Sequence, residues 1–180
     1  MADKRQVSLS VADRDREFRE FFDAEFQGLR RVAYLLIGDW GEAEDLAQET
    51  MVRVYRAWDR IRDRQKPAAY ARTVLVNRHR SLLRRARVEA KHLVARTHAP
   101  TIPEVGEDGV VVWQALKKLP GREREVLILR YYEDMPQAEI ATAVGIPVGT
   151  VKSLTHRALG RLREVLGPEL YASVAKGDDA

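Results

Sequence analysis

The sequence predicts an all-α protein: two small helical domains joined by a flexible linker, the second domain built on a helix-turn-helix. Three observations carry this. Apolar residues recur at three- and four-residue spacing through most of the 180 residues, and alternating β-branched runs are nearly absent. A stretch at 97–109 with two prolines, two glycines, three acids and no basic residue interrupts the pattern. Beyond it, 137–166 reads as two amphipathic segments meeting at Gly145 and Pro147.

Residues before about Arg14 show no stripe and read as a loose lead-in. From 16 to 37, Phe18, Phe22, Phe26, Leu29, Val32, Ala33 and Leu36 mark one amphipathic helix, or two with a slight offset. Gly38-Asp39-Trp40-Gly41 punctuates it, and a second helix follows at Glu42. The acidic first turn of that helix (Glu42, Glu44, Asp45) complements the positive end of the helix dipole. Ala43, Leu46, Ala47, Thr50, Val54 and Trp58 face a core, while Asp45, Gln48, Glu49 and Arg53 lie on or beside the outer face. By composition alone, those acids are a solvated surface with capping value.

The sign of the charge then reverses. From Asp13 to Glu49 there are eleven acids against five arginines, a net of −6. From Arg60 to His92 there are eleven basic residues against two acids, a net of +9. The basic block fills a loop, 62–66, and a helix opened by Pro67, a favourable first-turn residue. On that helix Tyr70, Thr73, Val74 and Asn77 share a face, and Arg78, Arg80, Arg84 and Arg85 sweep round the rest. Cations, one aromatic ring and an amide supply what a nucleic-acid strand needs: phosphate neutralisation, stacking and a base-edge hydrogen bonder. An anionic membrane surface would need a bulky apolar face opposite the arginines, and 67–78 has none.

After the linker, Leu116, Leu119, Val126, Leu129 and Tyr132 are expected to supply a second core. Ile140, Ala141 and Val144 form the stripe of the first helix of the pair; buried Ile146 and Val151 close the core behind the turn. The second stripe runs from Val151 through Leu154 or Thr155 to Ala158 and Leu162. This is the spacing of a DNA-binding helix-turn-helix, whose second helix enters the major groove, and an ordinary αα-hairpin is the plainer alternative. Charge favours the former: from 150 to 166 the chain carries Lys152, Arg157, Arg161 and Arg163 against Glu164 alone. Leu170, Tyr171 and Val174 have the spacing of one more helical turn.

Composition narrows the function classes. A 45% hydrophobic, 32% charged chain is globular in composition. With no cysteine there is no disulfide or thiolate chemistry, which fits a reducing cytoplasm. No signal-peptide core and no apolar run of the ~18–20 residues a membrane span requires are present, so no membrane insertion is expected. His79, His92, His98 and His156 show no metal-ligand pairing, and no phosphate-binding glycine loop or nucleophile elbow occurs. The expectation is a cytoplasmic, non-enzymatic protein without metal or other cofactor.

Two separate motifs resemble one family. AEDLAQETMVRVYRAWD (43–59), followed by a basic helix containing VNRHRSLLRR (76–85), resembles the core-binding and promoter-melting domain of bacterial sigma-70 factors. ALKKLPGREREVLILRYYEDMPQAEIATAVGIPVGTVKS (115–153) resembles the C-terminal domain of that family. The short linker makes the chain similar to the two-domain extracytoplasmic-function group, in its actinobacterial form.

The resemblance implies domains at 14–90 and 110–168, a linker at 91–109 and a tail at 169–180. It implies that Asp45, Gln48, Glu49 and Arg53 dock on core RNA polymerase. It implies that Arg62, Arg64, Lys66, Tyr70, Asn77, Arg78, Arg80 and Arg84 hold the single-stranded −10 element. Gly149, Thr150, Lys152 and Ser153, with His156 and Arg157 a turn on, would read the duplex −35 element. An anti-sigma factor would be a further partner. Leu154-Thr155 stands where the family often has Arg-Leu, which puts the −35 preference in doubt but not the role. The rival reading is a stand-alone helix-turn-helix regulator that binds operator DNA, and it leaves the acidic-then-basic first half without a purpose.

Overall fold

The computed structural model describes residues 11–62, 67–89 and 107–168. Those residues form seven α-helices and one π-helical turn, with no strand among them. The first three helices are α1 (Val11–Ile37), α2 (Trp40–Ile61) and α3 (Pro67–Glu89). The C-terminal half holds α4 (Glu107–Lys118), α5 (Gly121–Leu127), a π turn (Ile128–Tyr132), α6 (Gln137–Val144) and α7 (Val148–Leu166).

α1 is a single unbroken helix that begins more than a turn before the apolar stripe. Polar contacts anchor the additional turn. The Arg14 guanidinium donates to the Tyr55 carbonyl at 2.9 Å and lies over the Tyr55 ring at 4.5 Å, and the Tyr55 hydroxyl donates to Asp15 at 2.7 Å. The apolar stripe behaves as its spacing dictates. Phe18 meets Trp58 edge-on at 5.3 Å, and Phe22 stacks on Phe26 at 4.7 Å. Between α1 and α2 the chain turns at Gly38, whose φ of +89° lies in the region only glycine enters cheaply. Asp39 then caps α2, its carboxylate accepting from the Glu42 amide at 2.9 Å. Ala43, Leu46, Ala47, Thr50, Val54 and Trp58 are all buried, as their spacing requires. Thr50 satisfies its hydroxyl by donating to the Leu46 carbonyl.

In the second half, α4 starts inside the stretch with linker composition; the remainder of the linker, 91–106, lies outside the described residues, as does Ala90. So do the lead-in 1–10 and the tail from 169, including Leu170, Tyr171 and Val174. Leu119, Val126 and Leu129 are buried and Leu116 half-buried, but Tyr132 is 46% exposed and does not belong to the core. The π turn is the reason. An α-helix would place 126, 129 and 132 on one face, whereas i→i+5 bonding takes in an extra residue and swings Tyr132 off the stripe. Asp134 follows at φ 47°, a left-handed position that aspartate tolerates, and Met135 returns its amide to the Leu129 carbonyl at 3.0 Å.

The helix pair α6–α7 turns where the sequence says it should. Gly145 sits at φ 65°, ψ 45°, and its amide bonds to the Ala141 carbonyl. Leu154 is buried and Thr155 only half-buried, so the stripe of α7 runs Val151, Leu154, Ala158, Leu162. Ile146, expected to be buried, is half-buried against this core.

The halves share their cores. Trp113 of α4 and Ile128 of the π turn pack into the α1–α2–α3 cluster, with Trp113 stacked on Tyr34 at 5.4 Å. In return Val76 of α3 is fully buried in the helix-turn-helix cluster. Burying two large apolar side chains across the seam contributes roughly 1.5–3 kcal/mol each.

Candidate nucleic-acid interface

The C-terminal part of α2 and the outer side of α3 form one concave surface. Tyr70 stands at its centre, with Arg53, Arg56 and Arg60 of α2 on one side. Asn77, Arg78 and Ser81 of α3 lie on the other. Arg56 and Arg60 had not been singled out as contacts. Their signal was present, since 53, 56 and 60 follow i, i+3, i+7 spacing and lie on one face of α2. Such a groove offers positive charge, an aromatic face and an amide within one concavity, the combination that holds an unpaired strand.

Asn77 and Arg84 are exposed. Arg84 donates to the Ser81 hydroxyl at 3.0 Å. Arg62 caps α2 and pairs with Glu17 at 3.4 Å, only 13% of its side chain being exposed. Arg64 and Lys66 lie outside the described residues. Arg78 pairs with Glu49 at 2.6 Å. Arg80 turns away from the groove towards the C-terminal half, where it bonds to the Val144 carbonyl and approaches Glu125 at 3.8 Å.

On α2, Asp45 and Gln48 are exposed. Gln48 receives support from Glu44, to which it donates at 3.4 Å. Glu49 bridges the acidic and basic surfaces, for it accepts from both Arg53 and Arg78. Burial alone would raise its pKa, but the hydrogen bonds and charges of the two guanidiniums outweigh that and hold it below the usual carboxylate range. Above this face an apolar concavity between α1 and α2 is lined by Phe18, Phe22, Met51, Val52 and Tyr55. Val52 is 48% exposed there, on the same outer face as Gln48.

On α7, Gly149, Thr150, Lys152, Ser153, His156 and Arg157 are all exposed, and together they form the outward face of the helix's first three turns. The Ser153 hydroxyl donates to the Gly149 carbonyl at 3.0 Å. Arg157 leans towards Glu123 of α5 at 4.0 Å, and Arg161 pairs with the same carboxylate at 3.2 Å.

Two buried titratable groups lie where the halves meet. His79 of α3 is only 6% exposed. Burial first, then the charges of Arg124 and Arg80, depress its pKa to about 4. Glu125 of α5 is 3% exposed. Burial raises its pKa to about 7 against the opposing pull of Arg80, Arg122 and Arg124.

Among the described residues no group of histidines and acids could hold a metal ion, and no helix is long and apolar enough to cross a membrane.

Comparison with known proteins places both halves. The family model "Sigma-70 region 2" matches residues 21–89, and "Sigma-70, region 4" matches 115–164. The chain is 36% identical over 155 residues to an RNA polymerase sigma-E factor of Streptomyces coelicolor, covering 83% of this chain and 86% of that one. It is 33% identical over 168 residues to the ECF RNA polymerase sigma factor SigL of Mycobacterium tuberculosis, covering 89% and 95%. Among solved structures it resembles the sigma factor RpoE of Bartonella quintana, crystallised with the anti-sigma factor NepR. That likeness has a TM-score of 0.75 at 27% identity over 85% of this chain and 98% of that one.

Proposed function

The chain belongs to the sigma-70 family, in its extracytoplasmic-function group, and on that premise we propose how its surfaces divide the work of transcription initiation. The exposed stripe of Asp45 and Gln48, continued by Glu49 and Arg53, docks on core RNA polymerase. The groove around Tyr70, with Arg53, Arg56, Arg60, Asn77, Arg78 and Arg84, captures the unpaired strand of the −10 element. Arg62, Arg64, Lys66 and Arg80 join it once the polymerase has positioned the strand. The outward face of α7, from Gly149 to Arg157, reads the duplex −35 element in the major groove.

The observation that carries this reading is the adjacency of opposite surfaces on α2: acids and a glutamine on one face, three arginines facing Tyr70 on the next. A duplex-binding regulator has no use for that arrangement. A single helix-turn-helix ordinarily needs a dimer to bind tightly. Tethering to polymerase replaces the dimer, raising the effective concentration at the promoter to the millimolar range. Extracting a base costs a few kcal/mol, and one aromatic stack returns only ~1–3. With Tyr70 as the one Phe, Trp or Tyr between residues 59 and 92, the factor alone does not open duplex DNA. It contributes binding surfaces and no catalysis, acts in the cytoplasm, and is a fitting target for an anti-sigma protein of the kind bound to its structural relative.

Run-off transcription with purified core polymerase, coupled to permanganate footprinting, tests this. The expected result is discrete start sites and −10 reactivity only when chain and polymerase are both present. Failure to co-migrate with core polymerase, or melting by the chain alone, would overturn it.

A further inference from the structure

Four residues of α7, Gly149, Ser153, Arg157 and Arg161, follow one another at i+4 and so form a single ridge along the helix. The ridge changes character along its length. Gly149 and Ser153 are short, and Ser153 turns its hydroxyl back to the Gly149 carbonyl, so a duplex can approach the backbone there. Arg157 and Arg161 are long and cationic, about 6 Å apart along the axis. Both lean on one carboxylate, that of Glu123 on α5. Its Oε1 lies 4.0 Å from Arg157 and its Oε2 3.2 Å from Arg161.

The pairing is lopsided. Only 6% of the Glu123 side chain is exposed, against 60% for Arg157 and 55% for Arg161. Glu123 Oε2 is buried and accepts no hydrogen bond among the described residues. An exposed guanidinium needs no protein partner, because water serves it, whereas a buried carboxylate costs stability that an apolar side chain of similar volume would not. Nor is the ion pair needed to seat the helix, since Ala158 and Leu162 of α7 already pack with Leu119 and Leu127 in one apolar cluster. What the carboxylate supplies is orientation. Each guanidinium is drawn towards α5 on one edge and keeps most of its donor fork in solvent. An arginine loses much rotamer freedom when it binds a base or a phosphate, and restricting it beforehand reduces that loss.

We propose that Glu123 is a positioning residue for promoter reading: it draws Arg157 and Arg161 against α5 so that Arg157 meets a base edge in one orientation and Arg161 meets the adjoining phosphate. The inference rests on the reading of −35 DNA by α7. The same carboxylate cancels part of the cationic charge of the ridge, which lowers sequence-independent attraction to duplex DNA. Its removal therefore acts on two modes of binding in opposite directions, weakening discrimination and strengthening general affinity.

Holoenzyme assembled from the full chain and core polymerase is presented with promoter duplexes randomised through the −35 block, above a fixed −10 region taken from a mapped start site. Glu123→Gln keeps the size and removes the charge. It should cut discrimination about tenfold at one or two adjacent positions, the same positions that Arg157→Ala flattens. In an Arg157→Ala background it should flatten those positions no further. On a scrambled duplex lacking both elements its binding should tighten several-fold, with the slope of log affinity against log salt steeper by about one. Glu123→Met, which suits a buried site, should lose the same positions, and co-migration of either variant with polymerase shows that it is folded. Equal weakening on every duplex would reduce Glu123 to a structural brace. Uniform tightening with the preferred sequence unchanged would reduce it to charge compensation, and no change in either variant would remove it from the site; each of these results overturns the proposal. If the unsubstituted holoenzyme selects no −35 sequence, the reading of α7 falls first and the inference with it.

Discussion

The two surfaces proposed to meet DNA use similar residues and are left in opposite states. On α7 the outward side chains are exposed, and the nearest acid to Arg157 is 4.0 Å away. On α3, Arg78 and Arg80 each have a carboxylate or carbonyl of the same chain within reach. Duplex DNA presents its major groove without rearrangement, so a surface that reads it can stand ready. A single strand exists only after polymerase has engaged, so a surface that holds it can remain occupied until then without loss.

The largest predicted effect concerns whether the two surfaces stand on separate foundations. Trp58→Ala removes the ring against which Phe18 and Phe21 pack and should destabilise the chain by about 3–5 kcal/mol. Because Trp113 and Ile128 share that core, urea unfolding should shift as one transition, far-UV signal and tryptophan fluorescence together. Two separated transitions would show that the halves fold independently.

Next in size is a pair of opposing pH effects at the seam. His79 titrates near 4 when folded against 6.5 ordinarily, so unfolding takes up a proton between those values and stability falls as pH drops through them. Glu125 titrates near 7 against 4.5, so the folded chain holds the extra proton and stability falls as pH rises through that interval. Between 4.5 and 6.5 the two slopes oppose each other and the unsubstituted chain should vary little. His79→Gln should leave a decline with rising pH and Glu125→Gln an increase, each up to about 1.4 kcal/mol per unit. Slopes of the same sign in both variants would refute the assignment.

The smallest effect isolates the ready surface. Gly145→Ala meets no atom within 4 Å of the added carbon, so its cost is that of the left-handed backbone alone, about 1–2 kcal/mol. Thermal unfolding should show that loss, and −35 duplex binding by the holoenzyme should survive at a temperature where the variant is still folded.

The elements visible in the sequence were those fixed by neighbours in the chain. The stripes of α1 and α2, the Gly38 turn and the Gly145 turn all follow from local spacing and from what glycine permits. Even the doubtful register at Leu154 and Thr155 concerned a single residue, and packing decided it for Leu154. What could not be read depends on distant partners. Arg72 and Glu133 are 61 residues apart, and nothing near either predicts the pairing. The early start of α1 has the same origin, since Arg14 finds its acceptor 41 residues away. Trp113 follows three valines in the middle of α4, yet its ring belongs to the other half's core. Tyr132 was misplaced because helical periodicity assumes 3.6 residues per turn, and the chain departs from it there.

That wide turn, Ile128–Tyr132, acts as a phase shifter. Each residue added to or taken from an α-helix rotates everything after it by about 100°. Holding one surplus residue in place sets the side from which the chain leaves the turn for the non-helical residues 133–136. Removing a single residue from that segment should restore α-helical phase through 132 and carry the Tyr132 ring from its exposed position back towards the stripe of Val126 and Leu129.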